Sequence, residues 1–292
     1  MIVQHLVDAI SLGSLYALAV LGIALILGVM KLINFAHGDL IMVGGYSMAA
    51  LSPYPWPLLI LGTLATTTLL ALLMERTAFR PVRGASAATL LITSFTVSYL
   101  LQNIMSATLT SNARPVMMPM FVLELFKIGD VRIQKLGVVT VAVTLLLVAA
   151  LAVGLKWTSI GLHMRSAAED FRMARLLGVR ANRVIAVSFA ISGFLAGTVS
   201  LIFLSQVGAV VPTTGISITL VAFVGTVVGG MGNLSAATAG GFLLGVMTVV
   251  FQIALPLELS PFRDAFVFTI VIAILLLRPQ GLLQRHSRRQ IL

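Results

Sequence analysis

From Ala9 to Met30 the chain carries no charged residue, and comparable apolar runs recur along most of its length. A water-soluble domain cannot be built this way, because about a quarter of its residues are usually charged. Here 10% of the 292 residues are charged and 59% are hydrophobic. The solvent for such a chain is lipid. Hydrocarbon offers no partner to an open N–H or C=O, so a spanning segment must be a helix or part of a closed barrel. Barrel strands read as alternating stretches of roughly ten residues, whereas these runs are unbroken and rich in Leu and Ala. The predicted fold class is therefore all-α: a polytopic integral membrane protein, with 1–292 forming one domain.

A bilayer core about 30 Å thick takes roughly 20 apolar residues per helix, which allows about eight or nine spans. The qualifying runs are 6–30, 38–52, 56–74, 86–108, 136–156, 184–206, 216–231, 235–256 and 264–278. The second and seventh hold only about 15 residues, so each reads as a tilted crossing or as a broken or re-entrant element. The first run lacks a basic leader and a small-residue cleavage site, and reads as a retained span.

Basic residues orient the spans, because cytoplasmic loops are enriched in them. Lys31, the Arg76–Arg83 loop, the Lys156–Arg183 segment and the tail from Arg278 hold 14 of the 19 Lys and Arg residues. Placing these inside leaves Arg114, Lys127, Arg132, Lys135 and Arg263 outside, which fits nine crossings and a cytoplasmic C-terminus. The net charge of +10 then reads as topology, and no nucleic-acid partner is expected. The stretch 109–135, with Pro115, Pro119 and Gly129, reads as an external loop containing a short helix. With no cysteine in the chain, disulfides, thiolate metal sites and Cys nucleophiles are excluded.

Three segments stand out. In 157–183, Ser166 and Glu169 have capping-box spacing, Glu169 and Arg172 are helical neighbours, and Gly178 sits where a helix would stop. Ala167, Phe171 and Ala174 then share one face of a helix of about 12 residues. The segment reads either as a solvated loop that only sets topology or as a docking knob for a soluble partner, with Gly161 before the helix. In KLINFAHGD (31–39), Asn34, His37 and Asp39 lie at the membrane boundary, where unpaired polar groups are costly. They read either as a solvated turn or as caps on a broken second helix. Two potential ligands two residues apart make no metal site, and no metal or cofactor is expected. In the glycine-rich 225–245, Gly225/Gly229 and Gly241/Gly245 have the spacing that lets membrane helices approach closely. The alternative is that GGMGN (229–233) is an unwound turn lining a solute path.

There is no G-x-x-x-x-G-K-[ST], H-E-x-x-H or G-x-S-x-G, so ATP binding through a P-loop and hydrolase chemistry lack motif support. No TVGYG-like filter is present either. The chain reads as a transporter component, with an autonomous channel or facilitator as the alternative.

The stretch GSLYALAVLGIALILGVMKLINFAHGDLIMVGGY (13–46) resembles the N-terminal signature of branched-chain amino-acid ABC transporter permeases. AFVGTVVGGMGNLSAATAGGFLLGV (222–246) is similar to that family's glycine-rich region, and RDAFVFTIVIAILLLRPQGLL (263–283) to its C-terminal signature. GLHMRSAAEDFRMARLLGV (161–179) resembles its ATPase-contacting loop. The resemblance implies a non-enzymatic subunit in a bacterial inner membrane. It would pair with a homologous permease, two cytoplasmic ATPases that bind the ATP, and an external solute-binding protein. It also implies branched-chain or related amino acids as solutes, while the wider family also handles urea, short amides and aromatic acids. Two departures are visible: Thr219, Leu220 and Val221 stand where the family has Gly-x-Lys, and Ala236 and Ala237 replace a Gly-Ala pair.

Two sets of site residues follow. Gly161, Arg165, Ala167, Phe171, Arg172, Ala174 and Gly178 are assigned to ATPase coupling, with Phe171 and Ala174 at the contact. Asn34, His37, Asp39, Gly44, Gly45, Ser47, Val221, Phe223 and Gly225 are assigned to the solute path, since broken helices mark such paths in transporters. The same glycines would instead serve helix packing if they face neighbouring helices.

Overall fold

The computed structural model describes residues 2–109, 111–116, 124–128, 131–169, 171–279 and 281–283, apart from the side chains of residues 2, 126–128, 131–133, 171, 172 and 175. The helices are α1 (Ile2–Met30), α2 (His37–Leu51), α3 (Trp56–Met74, continued as a π-helical turn Glu75–Phe79), α4 (Ala87–Leu109) and α5 (Lys135–Trp157). Two short helices, α6 (Ser159–Glu169) and α7 (Phe171–Leu176), precede α8 (Ala181–Val207), α9 (Thr214–Gly229), α10 (Leu234–Ala254) and α11 (Arg263–Leu277). Seven helices are long and apolar enough to cross a membrane.

The expected short elements are α2 and α9. At 1.5 Å per residue they measure about 22 and 24 Å, less than a bilayer core. Non-helical stretches at 31–36 and 209–213 precede them. Contacts at the helix ends establish the path of the chain. Arg83 at the end of α3 donates to Asn182 at the start of α8 (2.6 Å). Ser192 of α8 donates to the Gly22 carbonyl of α1 (3.0 Å), and α6 packs on both helices. The ends of α1, α3 and α5 and the start of α8 therefore share one side. On the other side, β1 (Arg114–Pro115) after α4 pairs antiparallel with β4 (Ala209–Val210) after α8. Gly245 of α10 faces Gly13 of α1, and Gly241 faces Tyr16 and Val20, so these helices run antiparallel. The strand pair and the ends of α1, α3 and α5 thus lie at opposite ends of the helix bundle.

The central pair is α1 and α8, whose middle turns are buried over nearly their whole circumference. The packing repeats with inverted direction: α10 lies on α1 as α3 lies on α8, and α9 meets α1 as α2 meets α8. Each half thus consists of a long helix, a short broken helix and a third helix that folds back onto the other long helix. Small residues permit the closest contacts. A Cβ on Gly193 or Gly197 of α8 would stand 2.6 or 2.4 Å from Ala71 or Thr67 of α3. One on Gly245 of α10 would stand 2.5 Å from the Gly13 Cα of α1. In lipid, where burial of apolar surface does not drive helices together, such approach supplies van der Waals contact that bulkier residues would prevent.

The external stretch differs from its sequence reading. Its described part contains a hairpin of β2 (Leu125–Ile128) and β3 (Val131–Gln134), paired antiparallel, with Lys135 ion-paired to Glu124. The short helix expected there falls on no described residue, and 117–123 lie outside the description.

Candidate functional site

The first turns of the two short helices, α2 and α9, touch one another, well away from the end of α1. A Cβ on Gly38, in the first turn of α2, would stand 2.1 Å from the Gly215 carbonyl oxygen of α9; one on Gly215 would stand 2.3 Å from that of Gly38. No residue larger than glycine fits at either place. The depth follows from the neighbours of His37. Its ring lies on Gly22, eight residues and so about 12 Å before the end of α1.

The polar residues of 31–39 organise this junction. The Asn34 side-chain oxygen accepts from the Ala36 amide (3.1 Å) and the Asn34 carbonyl from the His37 amide (3.2 Å), closing the turn that starts α2. His37 Nδ1 lies 3.0 Å from Ser192 Oγ. Because the Ser192 proton is given to the Gly22 carbonyl, this contact is assigned to His37 Nδ1–H donating to Ser192 Oγ. Asn34, His37 and Asp39 are each at most 2% exposed, so none is a solvated turn residue.

Beside the junction lies a cavity of about 420 Å³ between α2, α4 and α9, within the size range of small-molecule sites. Its walls are mostly apolar. Phe35 stacks on Phe95 of α4 (centroids 4.4 Å apart) and contacts Phe223 of α9 (5.7 Å). Tyr99, Ile216 and Leu220 extend the lining. The polar lining is Asp39, Ser98, Gln102 and Thr219. Gln102 Nε2 donates to Asp39 Oδ1 (3.0 Å) and to Ser98 Oγ (3.0 Å). The Asp39 Oδ2 atom is buried and accepts from no described residue.

Of the residues assigned to a path, Asp39 lines this cavity and Phe223 borders it through Phe35. Asn34 and His37 lie at the adjoining junction, and the others are placed elsewhere. Gly44 lies against Ser200 and Thr67, Gly45 against Leu204 of α8 and Val210 of β4, and Gly225 against Val20 and Gly241, all as packing contacts. Ser47 donates to Thr66 of α3 (3.3 Å), and Val221 is half-buried. Gln102, Ser98 and Phe95 were missed. The available signal was Gln102, an amide in an apolar span that must find a polar partner.

The segment between α5 and α8 is helical from Ser159, earlier than its sequence predicts. Thr158 starts α6 by accepting from the Gly161 amide (3.0 Å), so Ser166 lies mid-helix, donates to the Leu162 carbonyl (3.0 Å), and forms no capping box. Gly161 is pressed on the backbone of Gly154 and Leu155, letting α6 fold back on α5. Gly178 follows α7 with φ +86°, the left-handed stop. Arg165 is exposed, with Nη2 3.4 Å from the Lys156 carbonyl. Ala167 and Ala174 share a face, but that face points inward, each being 3% exposed. Ala174 therefore does not stand at an outer contact. The side chains of Phe171 and Arg172 lie outside the described residues. Among its described residues this segment exposes the apolar side chains of Leu162, Met173, Leu176 and Leu177. Behind it, Arg83 pairs with the buried Glu75, and burial lowers the Arg83 pKa.

A family model for the permease component of branched-chain amino acid transport systems matches residues 5–276. The chain belongs to that family. It is 31% identical to the high-affinity branched-chain amino acid transport permease BraD of Pseudomonas aeruginosa, over 99% of this chain and 97% of the relative. Identity to the LivH permease of Escherichia coli K12 is also 31%, over 99% and 97%. The autoinducer 2 import permease LsrC of Shigella flexneri is 29% identical over 50% of this chain and 45% of its own. No solved structure matches. As a branched-chain permease family member with seven long apolar helices, the chain is a membrane-spanning transport component.

Proposed function

We propose that this protein is one of two homologous permease subunits of an ATP-driven importer in a bacterial inner membrane, carrying branched-chain or related amino acids. The observation that supports this most is end-to-end similarity to BraD and LivH. In this reading two cytoplasmic ATPases bind and hydrolyse the ATP, an external binding protein delivers the solute, and this chain catalyses no reaction and holds no cofactor. The solute passes at the junction of α2 and α9, where Asn34, His37 and Asp39 shape the opening. Such a junction suits alternating access, because half-helices and inverted halves allow one element to rock against the other. The side bearing α6 and α7 faces the cytoplasm and receives the ATPase, with Gly161 and Gly178 shaping the knob. Permeases of the wider family for urea, short amides or aromatic acids share this frame, so the solute is the finer part of the proposal.

The test is uptake by proteoliposomes containing this chain, its homologous partner and the ATPases, supplied with binding protein outside and ATP inside. ATP-dependent accumulation of labelled leucine is the expected result. Passive leucine flux through this chain alone would point to a facilitator instead.

A further inference from the structure

We propose that Asp39 is the subsite for the α-ammonium group of the solute. This rests on the importer reading and adds a residue and a charge rule to it. Asp39 is 2% exposed, lines the intramembrane cavity, and keeps Oδ2 without a hydrogen bond from any described residue. A polar atom left open inside lipid is costly, and ionisable residues within spans mark solute or ion pathways. Two features offset part of the cost of burying a carboxylate here. Asp39 sits in the first turn of α2, where the helix dipole favours a negative charge. Gln102 donates to Oδ1 and also to Ser98, which fixes the carboxyl group at the cavity wall and leaves Oδ2, a buried atom, without a donor among the described residues. What is lacking is a cation: among the described ion pairs none includes Asp39.

A primary ammonium completes the site. It offers donors to Oδ2, and in a low-dielectric pocket a close ion pair is far stronger than in water. Phe35 and Phe95, which line the cavity, offer a surface for an aliphatic or aromatic side chain. The cavity thus selects a small zwitterion through its amine and tolerates variation in its apolar body. Urea and simple amides carry no cation and are disfavoured.

The chain has no cysteine, so Leu220→Cys places a single reporter thiol on the cavity wall. Leucine at high concentration should slow labelling of that thiol in the assembled complex. The same concentration of 4-methylpentanoate, the same skeleton without the amine, should not. Asp39→Asn, nearly isosteric and able to keep the Gln102 bond, should abolish leucine protection and lower leucine uptake at least about tenfold, as loss of one partner of a buried charge pair does. Asp39→Glu should restore part of both. Equal protection by the amine-free acid overturns the proposal even if the Asp39 variants fail to assemble, and so does wild-type uptake by Asp39→Asn. A parent complex without ATP-dependent uptake overturns the importer reading itself. Uptake that is intact and indifferent to Asp39 overturns only the subsite.

Discussion

At Gly225 the ideal Cβ position lies 2.6 Å from Val20 Cγ2 and 3.0 Å from the Gly241 Cα; at Gly45 it lies 2.2 Å from Leu204 Cδ1. These distances decide what a bulky residue would do there. Gly45→Leu and Gly225→Leu must push whole helices apart, and overpacking of this kind costs about 1–3 kcal/mol or more. Both variants are expected to lose assembly, read as a lower yield of intact complex on size-exclusion chromatography and a lower thermal midpoint. Variants that assemble normally yet block uptake would return these glycines to the solute path. The spacing of Gly225/Gly229 was legible in the sequence, and so was its packing alternative. Which surface each glycine meets was not, because glycine carries no side chain to mark a facing partner.

Within the segment made of α6 and α7, burial separates two residues that sequence spacing treats alike. Ala174 is 3% exposed and Leu177 is 79% exposed. A charge at 174 must enter the protein, so Ala174→Glu is expected to unfold the helix–turn region and reduce the amount of complex in the membrane. Leu177→Glu alters only the outer surface. It is expected to leave membrane insertion intact, weaken copurification of the ATPase, and lower ATP-dependent uptake several-fold. ATP can bias a transporter only through contacts that differ between its states. Normal ATPase recovery and uptake with Leu177→Glu would remove this surface from the coupling role. Gly178 was readable as a helix stop from its type and position. The inward turn of Ala167 and Ala174 was not, since a small-residue face suits a partner protein and a neighbouring helix equally well.

For the whole molecule, the β1–β4 pair follows α4 and α8 at one end of the helix bundle, and the α6–α7 segment lies at the other. The absence of cysteine makes this directly measurable. Ser111→Cys is expected to react with a membrane-impermeant maleimide in intact cells, and Ser159→Cys only after the membrane is opened. The reverse pattern would invert the assignment of sides, and equal labelling of both would contradict the crossing count. The inverted correspondence between the halves, α1 with α8 and α2 with α9, leaves little trace in the residues. Lipid-facing and helix-facing apolar side chains are interchangeable over long evolution of sequence, while the packing geometry is not.

By itself the sequence determined the class and most span boundaries, because lipid demands uncharged helices of a minimum length. Its basic residues carry an expected sidedness, since cytoplasmic loops are enriched in them. Its motif strings indicated the family. Only the tertiary structure decided that Gly38 and Gly215 bring the starts of two short helices together, and that Asp39 lines a cavity with one buried oxygen that no described residue donates to. Those are relations between segments far apart in the chain, as with Asp39 and Gln102, 63 residues apart. They depend on close backbone approach and hydrogen-bond partners in three dimensions, which no local periodicity records.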